Sequence, residues 1–202
     1  MIKNIIFDMG GVLIDWNPNK LIEDIGIDNN DHDLVYCELF KEVEWVALDA
    51  GTISFAEAIN SVNSRLPERV HDKVARLIDN WWNIYFKPID GMKDTIRSLK
   101  ENGYNIYLLS NASIAQKDYF HKIEGYEYFD GRVTSSEIKL LKPYMEIYKH
   151  ICEKYNLIPE ECFFVDDSST NIYHALEFGF KGCVFDGVEE FKKELRKEEI
   201  KI

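Results

Sequence analysis

A chain of 202 residues with 46% hydrophobic and 30% charged residues suits one soluble globular core with a modest insertion. Its net charge of −12 argues against a nucleic-acid or anionic-membrane partner, since neither polyanion gains from a counter-charge here. The four cysteines, Cys37, Cys152, Cys162 and Cys183, form no Cys-x-x-Cys pair, which fits reduced thiols in a cytoplasmic protein better than a disulfide frame or a zinc site. No stretch approaches the roughly 18 apolar residues of a membrane span, and the N-terminal apolar run is broken by Asp8 and lacks a signal-peptide cleavage site.

The first element predicted is a short buried strand. Ile5, Ile6 and Phe7 run straight into Asp8, and Gly10-Gly11 ends the run. Asp8 then stands at the carboxyl end of a strand, where open α/β sheets place their ligands, as a nucleophile or a metal ligand. Ile14 to Asn19 has turn composition, and from there to about Phe86 the pattern is helical. Leu34, Val35, Leu39 and Val43 repeat at helical spacing. Ser54 to Glu57 reads as a capping box opening a helix with Phe55, Ala58, Ile59, Val62 and Leu66 on its apolar face, ended by Pro67. Val70, Val74, Leu77, Ile78 and Trp81 mark another helix. No strand pattern interrupts the block, so residues 15–86 are expected to form a helical cap on a core made of 1–14 and 87–202.

Alternation of strands and helices resumes after Pro88. A helix from about Gly91 carries Met92, Ile96 and Leu99 and stops at Asn102-Gly103. Tyr104 to Leu109 is a strand ending at Ser110-Asn111, followed by a helix over Ala115 to Ile123 and a weaker strand at Gly131 to Thr134. Pro143 is expected in the first turn of a helix that presents Tyr144, Ile147, Tyr148, Ile151 and Tyr155 on one face. Cys162 to Val165 runs into Asp166-Asp167, a helix from Asn171 closes at Gly179, and Cys183 to Phe185 is the last strand. This order implies a parallel sheet with helices on both faces.

In such a sheet the strand ends open onto one rim, so Asp8, Ser110-Asn111 and Asp166-Asp167 converge there, joined by Lys142 at a helix start. Each piece has an ordinary local reading. Ser110 and Asn111 could cap a helix, Lys142 could be a solvated lysine, and the acidic pair could form a turn. Together and in this order, Phe7-Asp8-Met9-Gly10-Gly11-Val12-Leu13, Leu108-Leu109-Ser110-Asn111, Leu141-Lys142-Pro143 and Phe163 to Asn171 resemble the four motifs of the haloacid dehalogenase (HAD) superfamily. The resemblance spans residues 4 to about 185 and implies a Rossmannoid α/β core with a helical first-type cap.

Charge supports that chemistry. A carboxylate attacking a phosphate dianion meets repulsion on the order of 4 kcal/mol for charges ~4 Å apart at an effective dielectric of ~20. Three carboxylates at one site likewise require a cation, and Mg2+ prefers oxygen ligands. The resemblance implies Asp8, the Gly10 carbonyl and Asp167 as Mg2+ ligands, with Asp166 at or just behind them. It implies that Lys142 holds the nucleophile and a phosphate oxygen, that the Ser110 hydroxyl and Asn111 N–H bind another phosphate oxygen, and that Asn171 supports the acidic loop.

One position departs from the pattern. Gly10 stands where the phosphatases of the family carry a second Asp, the acid that protonates the leaving group. General acid–base help is worth about 10²–10⁴-fold. Its absence points to leaving groups that need less protonation, such as sugar 1-phosphates, or to another donor, for which Asp15 is the nearest candidate. The variant resembles a bacterial subgroup acting on sugar phosphates, including glucose 1-phosphate. A metal-free 2-haloacid dehalogenase and a catalytically weak binding or regulatory protein are the alternatives, and Asp166-Asp167 argues against the first. In the cap, Trp16, Trp45, Asp49, Trp81 and Trp82 are possible substrate contacts, and Asp49 to Thr52 a plausible entrance segment. Both a monomer and a homodimer fit the composition.

Overall fold

In the computed structural model, which describes residues 1–202, the first apolar run forms strand β1 (Asn4–Phe7), buried along its whole length. Five helices follow without a strand: α1 (Pro18–Asp24), α2 (Asn29–Phe40), α3 (Val43–Asp49), α4 (Phe55–Asn63) and α5 (His71–Asn80). Then come α6 (Met92–Glu101), β2 (Asn105–Ser110), α7 (Gln116–Tyr119), β3 (Gly131–Thr134), α8 (Ser135–Ile138) and α9 (Met145–Tyr155). The chain finishes with β4 (Cys162–Asp166), α10 (Ser169–Phe178), β5 (Lys181–Val184) and α11 (Val188–Lys197).

The strands make one parallel sheet in the order β3-β2-β1-β4-β5. Strand alternation divides the core between its two faces. Ile5, Phe7, Ile106, Leu108, Phe163 and Val165 belong to one apolar cluster, and Ile6, Tyr107, Leu109, Cys162 and Phe164 to the other. Ile96, Leu99, Phe191 and Leu195 of α6 and α11 join the first cluster. Ile147, Tyr148, Ile151, Ile172 and Ala175 of α9 and α10 join the second. This double cover is what lets a strand such as β1 be apolar throughout. Strand order reverses between β1 and β4, so the ligand crevice of the fold opens above their carboxyl ends, at Asp8 and Asp166-Asp167.

The helical block α1 to α5 leaves and rejoins the sheet through two adjacent segments. Asp15 N–H donates to the Lys87 carbonyl at 2.8 Å and Ile89 N–H to the Leu13 carbonyl at 3.0 Å. Local signals set its helices. Asn17 caps α1 by accepting from Lys20 N–H at 3.0 Å, ahead of Pro18. The capping box of α4 is complete, with Glu57 N–H on Ser54 Oγ at 3.2 Å and Ser54 N–H on Glu57 Oε2 at 2.8 Å. Arg65 bridges α2 and α3 by pairing with Glu38 at 2.6 Å and Glu44 at 2.7 Å.

Several boundaries differ from the sequence expectation. Leu34 and Val43 are 41% and 69% exposed, because α2 ends at Phe40 and a new helix with its own axis starts at Val43. The helix with Phe55 stops at Asn63, before Pro67, and the predicted helix over Ala115 to Ile123 is one short α-turn followed by a 3₁₀ turn. Pro143 does not open a helix. Tyr144 N–H closes a turn on the Leu141 carbonyl at 3.0 Å around a cis Lys142–Pro143 bond, α9 begins at Met145, and Tyr144 is exposed. The second strand reaches Ser110, and the last starts two residues earlier, at Lys181, and ends at Val184. No helix is long and apolar enough to cross a membrane.

Candidate active site

Asp8 follows β1 directly, and its N–H donates to the Val165 carbonyl at 2.9 Å, so the sheet itself fixes where the carboxylate stands. The glycine turn behind it is tight. Gly11 has φ +75°, and a Cβ there would lie 2.4 Å from Asp167 Oδ2, so only glycine lets the two acidic loops meet. Gly11→Ala is therefore expected to push Asp167 off the site and weaken Mg2+ binding at least tenfold, about 1.4 kcal/mol; a calorimetric Mg2+ titration checks it, and an unchanged affinity would show that the two loops tolerate separation.

Lys142 is held at both ends. Its side chain is only 1% exposed, and Nζ lies 2.7 Å from Asp8 Oδ1 and 2.6 Å from Asp166 Oδ2. The Asn111 side chain clamps its backbone, accepting from Lys142 N–H at 2.9 Å and donating to the Lys142 carbonyl at 3.0 Å. That use of the Asn111 amide was invisible in the sequence, since it joins residues 31 positions apart. Asp166 has both oxygens occupied. Oδ1 accepts from Ser168 N–H at 2.8 Å, Asn171 Nδ2 donates to each oxygen at 3.0 Å, and Lys142 takes Oδ2. Asp166 thus stands behind the site as an anchor for Lys142, and Asn171 supports it. Asp167 is exposed on the rim.

The carboxylate oxygens of Asp8, Asp166 and Asp167 lie within 4.8 Å of one another. Burial pushes the Asp8 carboxyl above its ordinary range; Lys142 pulls it down and Asp166 pushes it up again. Burial alone would lower the Lys142 ammonium, but Asp8 and Asp166 outweigh it and hold the group above its usual value. Three carboxylates facing one ammonium leave negative charge uncompensated, and all the donors are hard oxygens. This donor set fits Mg2+.

Above the carboxylates lies a cavity of about 180 Å³. Asp8, Met9, Gly10, Asn111, Ala112, Ser113, Lys142, Asp167 and Asn171 line its floor, and Trp16, Trp45, Leu48, Asp49, Ile78, Trp81 and Tyr119 its walls. The aromatic rings brace one another: the Trp16 centroid is 5.4 Å from Trp45 and 4.9 Å from Trp81, and Trp81 is 5.2 Å from Tyr119. Burial raises the Tyr119 phenol well above its ordinary pKa, with Asp49 adding to the effect. Asp49 is itself pushed up to about 7, by burial first and by Asp8 second, with Lys142 opposing.

Besides Asp166, three expected side chains lie off the lining. Ser110 is the last residue of β2, paired with Thr134 and 1% exposed, just beneath the floor. Trp82 stacks on Tyr119 from outside, with centroids 5.0 Å apart. Asp15 accepts a hydrogen bond from the Tyr85 hydroxyl at the junction of block and sheet. Tyr119, Leu48 and Ile78 were not foreseen as cavity residues. Tyr119 sits on a four-residue helix too short to show a periodic face, and Leu48 and Ile78 read as ordinary core.

The family model for haloacid dehalogenase-like hydrolases matches residues 2–179. The chain belongs to that family. Among curated HAD-like relatives, it is 31% identical to a D-ribitol-5-phosphate phosphatase of Bacteroides thetaiotaomicron, an alignment covering 96% of this chain and 97% of that one. It is 28% identical to a sesquiterpene phosphatase of Aspergillus oryzae, over 89% and 88% of the two chains. Among solved structures, a HAD family enzyme of Bacteroides thetaiotaomicron in complex with magnesium and inorganic phosphate superposes with a TM-score of 0.76 at 27% identity, over 97% of this chain and 100% of that one. The HAD-like α/β fold and a hydrolase are thereby shown.

Proposed function

We propose that this hydrolase of phosphoric monoesters is a Mg2+-dependent, cytoplasmic phosphatase of a small phosphorylated metabolite, a sugar or polyol phosphate such as glucose 1-phosphate. The observation that carries the reading is Asp8 pinned by Lys142 at 2.7 Å on the floor of the cavity, with Asp167 alongside. The phosphatase names of relatives that align along nearly the whole chain support it.

Asp8 is the nucleophile. One oxygen is engaged by Lys142, which leaves the other to attack phosphorus and form an aspartyl phosphate that water then hydrolyses. Asp8, the Gly10 carbonyl and Asp167 would hold Mg2+, which supplies the positive charge that a dianion needs to approach a carboxylate. Lys142 steadies the nucleophile and takes charge from a phosphate oxygen, Asp166 and Asn111 hold Lys142, and the Asn111 N–H takes a second phosphate oxygen. Ser110 backs that loop from within the sheet. Residues 15–86 act as the cap, whose aromatic walls exclude water and set which alcohol fits. The Asp166-Asp167 pair favours this metal-assisted reaction over metal-free dehalogenation, which has no use for three clustered carboxylates.

The test is hydrolysis of p-nitrophenyl phosphate with Mg2+, after chelation, and after Mg2+ is restored. Turnover is expected to vanish with chelator and return with the ion. Turnover that survives chelation, together with chloride release from 2-chloropropionate, would replace this reading with the dehalogenase.

A further inference from the structure

We propose that Asp49 is the general acid of this enzyme, a carboxyl contributed by the helical block in place of the one that Gly10 lacks. The inference rests on the phosphatase reading above.

Only three carboxyl groups line the cavity: Asp8, Asp167 and Asp49. Asp8 is spoken for by Lys142, and Asp167 belongs to the carboxylate cluster that would hold Mg2+. Asp166 is saturated by Lys142, Asn171 and Ser168, and Asp15 is bound to Tyr85 away from the lining. Tyr119 also faces the cavity, but its raised pKa makes it a poor donor at neutral pH. Asp49 differs from all of these. No hydrogen bond acts on its carboxyl, whose environment is burial plus the opposed charges of Asp8 and Lys142. Burial favours the protonated form over the ionised one, which is the form a proton donor must start from.

Its placement is fixed by backbone contacts. Asp49 is the last residue of α3, and its carbonyl accepts a hydrogen bond from Ser135 Oγ at 2.5 Å. The same Ser135 oxygen accepts from Ala112 N–H at 2.9 Å, in the loop that follows β2. Two residues on, Gly51 has φ +65°, and a Cβ there would lie 2.4 Å from the Ser136 carbonyl oxygen. The end of α3 is therefore seated directly on the sheet rim. This seating holds the Asp49 side chain on the wall of the cavity whose floor carries Asp8.

The proton balance closes. As Asp8 forms its bond to phosphorus and the P–O ester bond breaks, the Asp49 proton passes to the ester oxygen and the alcohol leaves neutral. Water then attacks the aspartyl phosphate and gives a proton to Asp49. Hydrogen phosphate leaves, and both carboxyl groups return to their starting states.

The test compares Asp49→Asn on p-nitrophenyl phosphate and on phenyl phosphate. Neither substrate carries a hydroxyl for Asp49 to hold, and they differ chiefly in how much the departing oxygen needs a proton. The variant is expected to lose on the order of 10²-fold in kcat/KM on phenyl phosphate and less than about tenfold on p-nitrophenyl phosphate. A second variant guards against a merely damaged site. A Cβ on Gly10 would meet nothing nearer than Trp16 Cβ at 3.5 Å, an ordinary contact. Gly10→Asp in the Asp49→Asn background is therefore expected to recover at least tenfold on phenyl phosphate. Equal losses on both substrates with no recovery would overturn the assignment and leave Asp49 a structural residue. Wild-type protein inert toward p-nitrophenyl phosphate would instead overturn the phosphatase reading itself.

Discussion

Asp8→Asn is expected to lower turnover of p-nitrophenyl phosphate by on the order of 10⁴-fold or more, the scale seen when an enzyme loses its nucleophile. The amide has the same shape and still offers an oxygen to Lys142, so the loss isolates the negative charge that attacks phosphorus. The fold should hold. Asp166 continues to pair with the buried ammonium at 2.6 Å, so no uncompensated cation is created. Burial disfavours an ionised Asp8, which offsets the loss of its pairing with Lys142 when a neutral residue takes its place. Initial rates and a thermal melt are the measurements. A variant that melts like the wild type and keeps more than a tenth of its activity would remove Asp8 from the nucleophile's role.

Lys142→Met is expected to be the most destabilising single change at the site. It leaves Asp8 and Asp166 buried side by side without their shared cation, and breaking a buried pair by removing one partner costs about 3–5 kcal/mol. Urea denaturation of the metal-free protein reads this directly. The loss should shrink as the pH falls: burial raises the folded-state pKa of Asp8, so the fold binds that proton more tightly than the unfolded chain does, and acid relieves the repulsion that rising pH restores. Adding Asp166→Asn should recover part of the stability by removing one of the stranded charges. A Lys142→Met protein within about 1 kcal/mol of the wild type would mean that water reaches the pair and screens it. Phosphatase activity should fall in the single variant as well, since the remaining carboxylates repel the substrate.

The site was legible where the chain writes chemistry at the end of a strand. Asp8 and the acidic pair at 166 and 167 each follow a run of apolar residues, so one rule about parallel sheets brings them together across 158 positions before any coordinate is known. Lys142 was legible through its motif, but its cis turn was not: a proline one residue before a helical pattern reads as a helix start, and only the clamp from Asn111 shows why the backbone stays outside the helix. The cavity walls were the least legible part. Their residues are apolar, and nothing in a helical repeat says whether Leu48 or Ile78 meets another helix or an empty space. Asp49 was visible as a polar residue near a glycine, yet its significance depends on Ser135, a partner 86 residues away.

The register of the central strand has a consequence for how the protein comes into being. Asn4 pairs with Asn105 on one side and Cys162 on the other, so β1 leaves the ribosome about a hundred residues ahead of its first neighbour in the sheet. Its Ile-Ile-Phe run must wait unpaired while α1 to α5 are synthesised. Contacts this remote in sequence slow folding and leave sticky segments open to misassociation. The strand that leads to Asp8 is thus made before both of its neighbours and is among the last to be completed, and newly made chains acquire the Asp8–Asp166 rim only once β4 is in place.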